Sequence, residues 1–143
     1  MKQGIAFFCC YIFFQTSWLI QNKPLQESIA DGALIYDEFC VQCHLGKGEG
    51  VSGINPPLAK SDYLFDNIDR SISNIKYGLS GPIIVNDEEY NGVMLNNGLD
   101  DEEIADVMNF ILNSWGNKSD EIITKERVAQ VSDCLLYTSP SPR

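Results

Sequence analysis

Apolar side chains at Ile104, Val107, Met108, Ile111, Leu112 and Trp115 recur with the three- and four-residue spacing of a helix that buries one face. Asp100 at the N-cap with Glu103 three residues on reads as a capping box, acidic side chains crowd the positive end of the dipole, and Gly116 is the expected stop. A second helical pattern runs from Ser28 to Cys40, where Ile29, Ala33, Tyr36 and Cys40 fall on one face. The spacing predicts two shorter helices between these: one capped by Ser61 and running through "DYLFDN", and one from Asp69 with Ile72 and Ile75 inward and Gly78 just past its end. A further short helix is expected from Thr124 in an otherwise polar extension. The segment "HLGKGEGVSGINPPL" is too rich in glycine for a regular element and reads as a loop. The segment "SGPIIVNDEEYNGVMLNNGL" is irregular, with turn signals at Gly81-Pro82, Asn91-Gly92 and Asn97-Gly98 and a possible short hairpin around Ile83 to Val93. There are no repeats and no strand-helix alternation.

The two ends carry other signals. Residues 1–23 read as a secretory signal peptide: Lys2, then the apolar block from Gly4 to Phe14, then "QTSWLIQNK". Gln15, Thr16 and Ser17 interrupt the run before the roughly 18–20 apolar residues a bilayer crossing needs, so a stable membrane span is not expected once the leader is cleaved. The last ten residues, 134–143, "CLLYTSPSPR", match the translation of a transposase-type sequencing adapter and are expected to be an artefact of the reading frame rather than native sequence. That leaves one domain, 24–133, with its core over 28–117.

Trimming both ends changes the cysteine arithmetic. Cys9, Cys10 and Cys134 drop out, and Cys40 and Cys43 alone remain, too few for a disulfide framework. Between Pro24 and Asp133 seven basic residues face twenty acidic ones, a net charge of −13, which makes nucleic acid or an anionic membrane a poor partner.

The remaining cysteines stand in "CVQCH", with His44 the single histidine of the chain. A structural zinc site takes four ligands, and this chain offers two cysteines and one histidine. A thiol redox pair expects strand-helix-strand surroundings, which the pattern lacks. Covalent haem attachment meets every constraint: two thiols one helical turn apart add to the porphyrin vinyl groups, and the adjacent histidine takes the iron from one side. With one histidine, the second axial position falls to a thioether or stays open. Met108 lies in the apolar stripe of the last helix, where methionine is core filler, whereas Met94 lies on the irregular loop and is the favoured ligand.

With Gly32, Tyr36 and Cys40 leading into "CVQCH", then "PPLAKSDYL", "YNGVM" and "LDDEEIADVMNFILNSWGN", the chain resembles the class I c-type cytochromes, the small exported monohaem kind of bacteria. The resemblance implies an all-α cytochrome c fold, three to five helices wrapped around one covalently attached haem c, with the N- and C-terminal helices crossing where Gly32 and Tyr36 meet Val107 and Phe110. It implies Cys40 and Cys43 as thioether sites, His44 and Met94 as the iron ligands, and either Pro56 or Pro57 as the residue whose carbonyl fixes the imidazole ring. Leu95 departs from the family, many members of which have proline after the ligand methionine. The function implied is non-enzymatic: one-electron transport in the periplasm or another exported compartment, between a dehydrogenase or quinol oxidoreductase and a terminal reductase or oxidase. The acidic body suggests redox partners that present a basic patch. The rival expectations are an open-site haem enzyme or gas sensor, and a haem domain of a longer redox enzyme.

Overall fold

The computed structural model describes residues 23–132; the expected leader, except its last residue Lys23, and the ten-residue adapter-like tail lie outside the described residues. Pro24 opens α1 (Leu25–Ile35), its carbonyl taking the Ser28 N–H at 3.0 Å. The helix then widens into a π-turn over Tyr36–Cys40, where the Val41 N–H reaches back five residues to the Tyr36 carbonyl, and resumes as α2 (Val41–His44). Helices α3 (Asp62–Asp66) and α4 (Ile68–Tyr77) follow, then α5 (Asp101–Leu112) and α6 (Lys125–Gln130).

The starts of α3 to α6 are capped by side chains. Ser61 accepts from Leu64 N–H, Asn67 from Arg70 N–H and Thr124 from Arg127 N–H, each satisfying a helix-end donor that would otherwise be orphaned. Asp100 and Glu103 form the capping box reciprocally. Helix α4 starts at Ile68, one residue ahead of the expectation, because Asn67 makes the better cap. Helix α5 ends at Leu112 rather than at Gly116, since Trp115 takes a positive φ of 54° and the chain has already left the helix.

Helix α1 crosses α5 at close range with Ser28 and Gly32 buried; of the predicted stripe, Tyr36 just past α1 is buried, while Ile29, Ala33 and Cys40 are half-buried. The reason is steric. A Cβ on Gly32 would stand 2.0 Å from the Asp106 carbonyl oxygen and 2.9 Å from the Phe110 Cβ, so the backbones touch only because glycine is there. Tyr36 packs its ring 5.3 Å from Phe110 and 4.9 Å from Trp115. Beneath the crossing, the Asp106 carboxylate is buried and accepts from Ser28 Oγ at 2.6 Å and Lys23 Nζ at 2.7 Å. Burial pulls the Lys23 pKa down, but its bonds to Asp106 and Asp31 outweigh that and leave it raised.

The fold is predominantly helical but not all-α. Between α4 and α5 the chain builds two small antiparallel pairs: β1 (Leu79–Ser80) with β4 (Val93–Met94), and β2 (Ile83–Val85) with β3 (Glu88–Tyr90). The β2–β3 hairpin turns at Asn86-Asp87, both at positive φ, a type I′ geometry that suits the twist of the strands. It buries Val85 and Tyr90, and these two apolar anchors make an irregular segment worth ordering.

After α5 the chain continues as a strap. Asn117 accepts from Lys60 N–H and donates to the Leu58 and Ile111 carbonyls. Asn109 holds Ile123 by both backbone groups, at 2.8 Å each. Ile123, Val128 and Val131 are buried against the rest of the core. The expected short helix from Thr124 is α6.

Candidate functional site

The widened turn and α2 present Cys40, Cys43 and His44 in succession. Cys40 is half-buried, Cys43 is exposed and His44 is buried. Leu45, at a positive φ of 62°, stops the helix, and the following loop folds back so that Leu58 and Ala59 N–H both bond the Gly48 carbonyl. That return brings Pro56 beneath the imidazole, with His44 Nδ1 2.9 Å from the Pro56 carbonyl oxygen. A carbonyl can only accept, so Nδ1 carries the proton and Nε2 is left with a free lone pair. Burial lowers the His44 pKa, and the Pro56 bond opposes but does not cancel the effect, so the ring is held neutral as a metal ligand must be. Of the two candidate prolines it is Pro56 that makes this bond; Pro57 lines the adjoining wall.

Above the loop lies a narrow cleft of about 80 Å³. Cys40, His44 and Met94 all line it, among apolar walls that include Leu64, Ile75, Met108 and Ile111. It continues into an outer hollow of about 260 Å³ that also touches Cys43 and is rimmed by Phe39, Ile54, Val93 and Leu95, all exposed. Met94 is half-buried on β4, where it is paired with Leu79. The structure thus brings five of the six predicted site residues to this cleft and the sixth, Cys43, to the hollow at its mouth.

One wall is polar, and sequence reasoning missed it. Ser61, Tyr63, Ser71 and Asn74 line it; Asn74 donates to the Tyr63 hydroxyl at 3.2 Å, and Asn74 Oδ1 is buried without a partner. The Arg70 guanidinium lies over the Tyr63 ring at 3.7 Å. The signal was available in Ser71 and Asn74, one turn apart and interleaved with the inward-facing Ile72 and Ile75 of α4.

What this arrangement can do chemically follows from the donor set. Burial, with the neighbouring Cys43 second, pushes the Cys40 thiol up to about 11, the opposite of the depressed pKa of a redox-active thiolate. Among the described residues no three His, Cys, Asp or Glu side chains converge to hold a metal ion. An apolar slot with two thiols at one edge, a single free imidazole nitrogen, a thioether and an orphaned polar atom on one wall fits a planar amphiphilic macrocycle that brings its own metal and its own polar substituents.

Residues 29–115 match the family model for cytochrome c. The chain is 44% identical over 93 residues to a cytochrome c-552 of Thermus thermophilus, covering 62% of this chain and 70% of that protein. A second Thermus thermophilus cytochrome c-552 matches at the same identity, with 62% of its length covered. The cytochrome c subunit of a quinone alcohol dehydrogenase from Gluconobacter oxydans is 32% identical over 91 residues, with 19% of its length covered.

Proposed function

The chain belongs to the cytochrome c family, an electron-transfer family with covalently bound haem c, and from that premise we propose that it is an exported one-electron carrier whose iron is held by His44 and Met94. Haem c bound in the cleft supplies a reversible one-electron couple, at a potential that a thioether ligand raises relative to two nitrogen ligands. The residues do the rest. Cys40 and Cys43 anchor the macrocycle through thioether bonds. His44, oriented by Pro56, offers Nε2, and Met94 is carried on a strand paired to the end of α4. The apolar walls exclude water and keep the environment of the couple nearly constant between its two charge states. If His44 and Met94 both held the iron, no ligand position would be left for a substrate, and the group would supply outer-sphere transfer of one electron.

The observation that carries this reading is His44: a buried imidazole with one nitrogen committed to a backbone carbonyl and the other free, in the same cleft as Met94, the one methionine among the described residues outside the helical core. The test is a spectrum of the ferric holoprotein made in a host that matures c-type cytochromes. The red-edge charge-transfer band of thioether-ligated iron is expected, together with inertness of the ferrous protein to carbon monoxide. Met94→Ala should lose the band and bind carbon monoxide. A wild type already lacking the band and binding the gas would make this an open-site haem enzyme or sensor instead.

The apolar rim formed by Phe39, Ile54, Val93 and Leu95 surrounds the mouth of the cleft and is the surface through which we expect partners to dock, within a body of net charge −13 between Pro24 and Asp133. A basic patch on the partner would steer the encounter, and the association rate should then fall as salt rises; a rate independent of ionic strength would reject the steering. The apolar N-terminal stretch serves in this reading as the export leader, cut ahead of Lys23 so that the mature chain keeps the ion pair with Asp106, and N-terminal sequencing of secreted protein tests that. The match to part of an alcohol dehydrogenase cytochrome subunit favours, as a second reading, a haem module of a larger redox assembly fed by a dehydrogenase.

A further inference from the structure

The segment carrying Met94 leaves α4 at Gly78 and rejoins the helical body at Asp101, and one side chain spans both points. Lys76, in the last turn of α4, places Nζ 2.8 Å from Asp101 Oδ1, at the first position of α5. The same ammonium donates to the Val128 carbonyl at 2.9 Å, in the strap that follows α5 and lies beyond residues 29–115. The Lys76 side chain is 19% exposed and that of Asp101 38%, so the junction is partly shielded from water. Immediately downstream the Met94 backbone is held twice. A Cβ at Gly78 would stand 2.8 Å from the Met94 carbonyl oxygen, so α4 ends in direct contact with β4, and Leu79 pairs with Met94 in the β1–β4 ladder. The place of Met94 therefore depends on where the end of α4 sits relative to the start of α5.

We propose that Lys76 is a positioning residue for the Met94 sulfur: it buckles the two ends of the Met94 segment to each other and to the C-terminal strap, and so sets how tightly that ligand is held. The proposal rests on the reading of Met94 as an iron ligand. With the buckle opened, the β1–β4 pair loses its fixed origin and the closed, ligated arrangement is less favoured against one in which Met94 has swung away. Tyr77, the neighbour of Lys76, donates its hydroxyl to the Val131 carbonyl at 3.1 Å, so the strap grips α4 at two adjacent residues.

Imidazole titration of the full-length ferric holoprotein measures this directly, because imidazole reaches the iron only when Met94 lets go, and its apparent affinity scales with the open fraction. Lys76→Met keeps the side-chain stem, removes the charge and is expected to tighten apparent imidazole binding about three- to tenfold, with Lys76→Arg restoring the wild-type value to within about twofold. Asp101→Asn opens the buckle from the other side and should act in the same direction. Lys23→Met removes an ion pair at the α1–α5 crossing; it should lower the melting temperature and leave imidazole affinity unchanged. Unaltered affinity in Lys76→Met, or an equal rise in Lys23→Met, would overturn the positioning role while Met94→Ala still binds imidazole far more tightly than wild type. If Met94→Ala binds imidazole no more tightly than wild type, the ligand reading fails and the positioning role falls with it.

Discussion

Replacing Gly32 by alanine tests the helix crossing on which the site is built. The added Cβ would lie 2.0 Å from the Asp106 carbonyl oxygen and 2.5 Å from its carbon, and ordinary contact begins at 3.4 Å, so α1 and α5 must separate by about 1.4 Å where they touch. The neighbouring bond from Ser28 Oγ to the Asp106 carboxylate, 2.6 Å long, cannot survive that opening unchanged, and the Tyr36–Phe110 ring contact loosens with it. Overpacking costs about 1–3 kcal/mol and a strained buried bond to a charged acceptor about 1.5–3 kcal/mol, while alanine returns about 1 kcal/mol of helix propensity. The net loss should be about 3 kcal/mol, a fall in melting temperature of roughly 12–18 °C for a body of this size. Thermal unfolding of the holoprotein followed by far-ultraviolet circular dichroism reads it out, with Gly46→Ala as the matched control. Gly46 has nothing within 4 Å of its hypothetical Cβ, and its replacement should change stability by no more than about 0.5 kcal/mol. A Gly32→Ala protein melting within about 3 °C of wild type would refute the claim that backbone contact sets this crossing.

Three further outcomes are expected. Asn109→Ala removes the two-way clamp on Ile123 and the bond to Ser28 Oγ; it should cost about 2–4 kcal/mol and expose the segment 117–132 to limited proteolysis, and an uncut strap would argue that its apolar contacts suffice. Tyr36 is buried, which raises its pKa above the ordinary 10.0, so the unfolded chain ionises first and stability should fall as pH rises past about 10. In Tyr36→Phe, which also loses the bond to the Leu45 carbonyl worth about 1 kcal/mol, the deficit relative to wild type should narrow over that alkaline range; a constant gap in denaturant midpoints would contradict the linkage. The double variant Cys40→Ser, Cys43→Ser leaves the apolar cleft without its anchored occupant and should show no cooperative thermal transition; a sharp one would mean that the polypeptide core alone supports the fold.

What could be read from the sequence was what is local and periodic. The stripe of α5, its capping box and the caps at Ser61 and Thr124 depend on neighbours within a turn, and they appear where the pattern put them. Periodicity alone missed Ser28 and Gly32 on the buried face of α1, because small residues bury by letting two backbones approach and a hydropathy pattern sees only side chains; the family resemblance is what pointed to Gly32 at the crossing. The β1–β4 pair escaped because its partners are separated by a hairpin and neither strand has enough residues to show alternation. The strap escaped because Ile123, Val128 and Val131 are spaced too irregularly to make a stripe and are surrounded by charge. At the site, "CVQCH" carried its own spacing, whereas the polar wall of Tyr63 and Asn74 exists only once α3 and α4 have folded against the cleft.

The π-turn between Gly32 and the cysteines has a consequence for anyone moving the motif. It takes in one residue more than an α-turn, which swings everything after it by about 100° around the axis compared with an uninterrupted helix. Grafting "CVQCH" onto a straight helix at its present distance from the crossing would point the thiols and the imidazole at the wrong neighbour. A transplant, or a designed bundle meant to take the same group, has to carry the wide turn along or delete one residue ahead of the first cysteine.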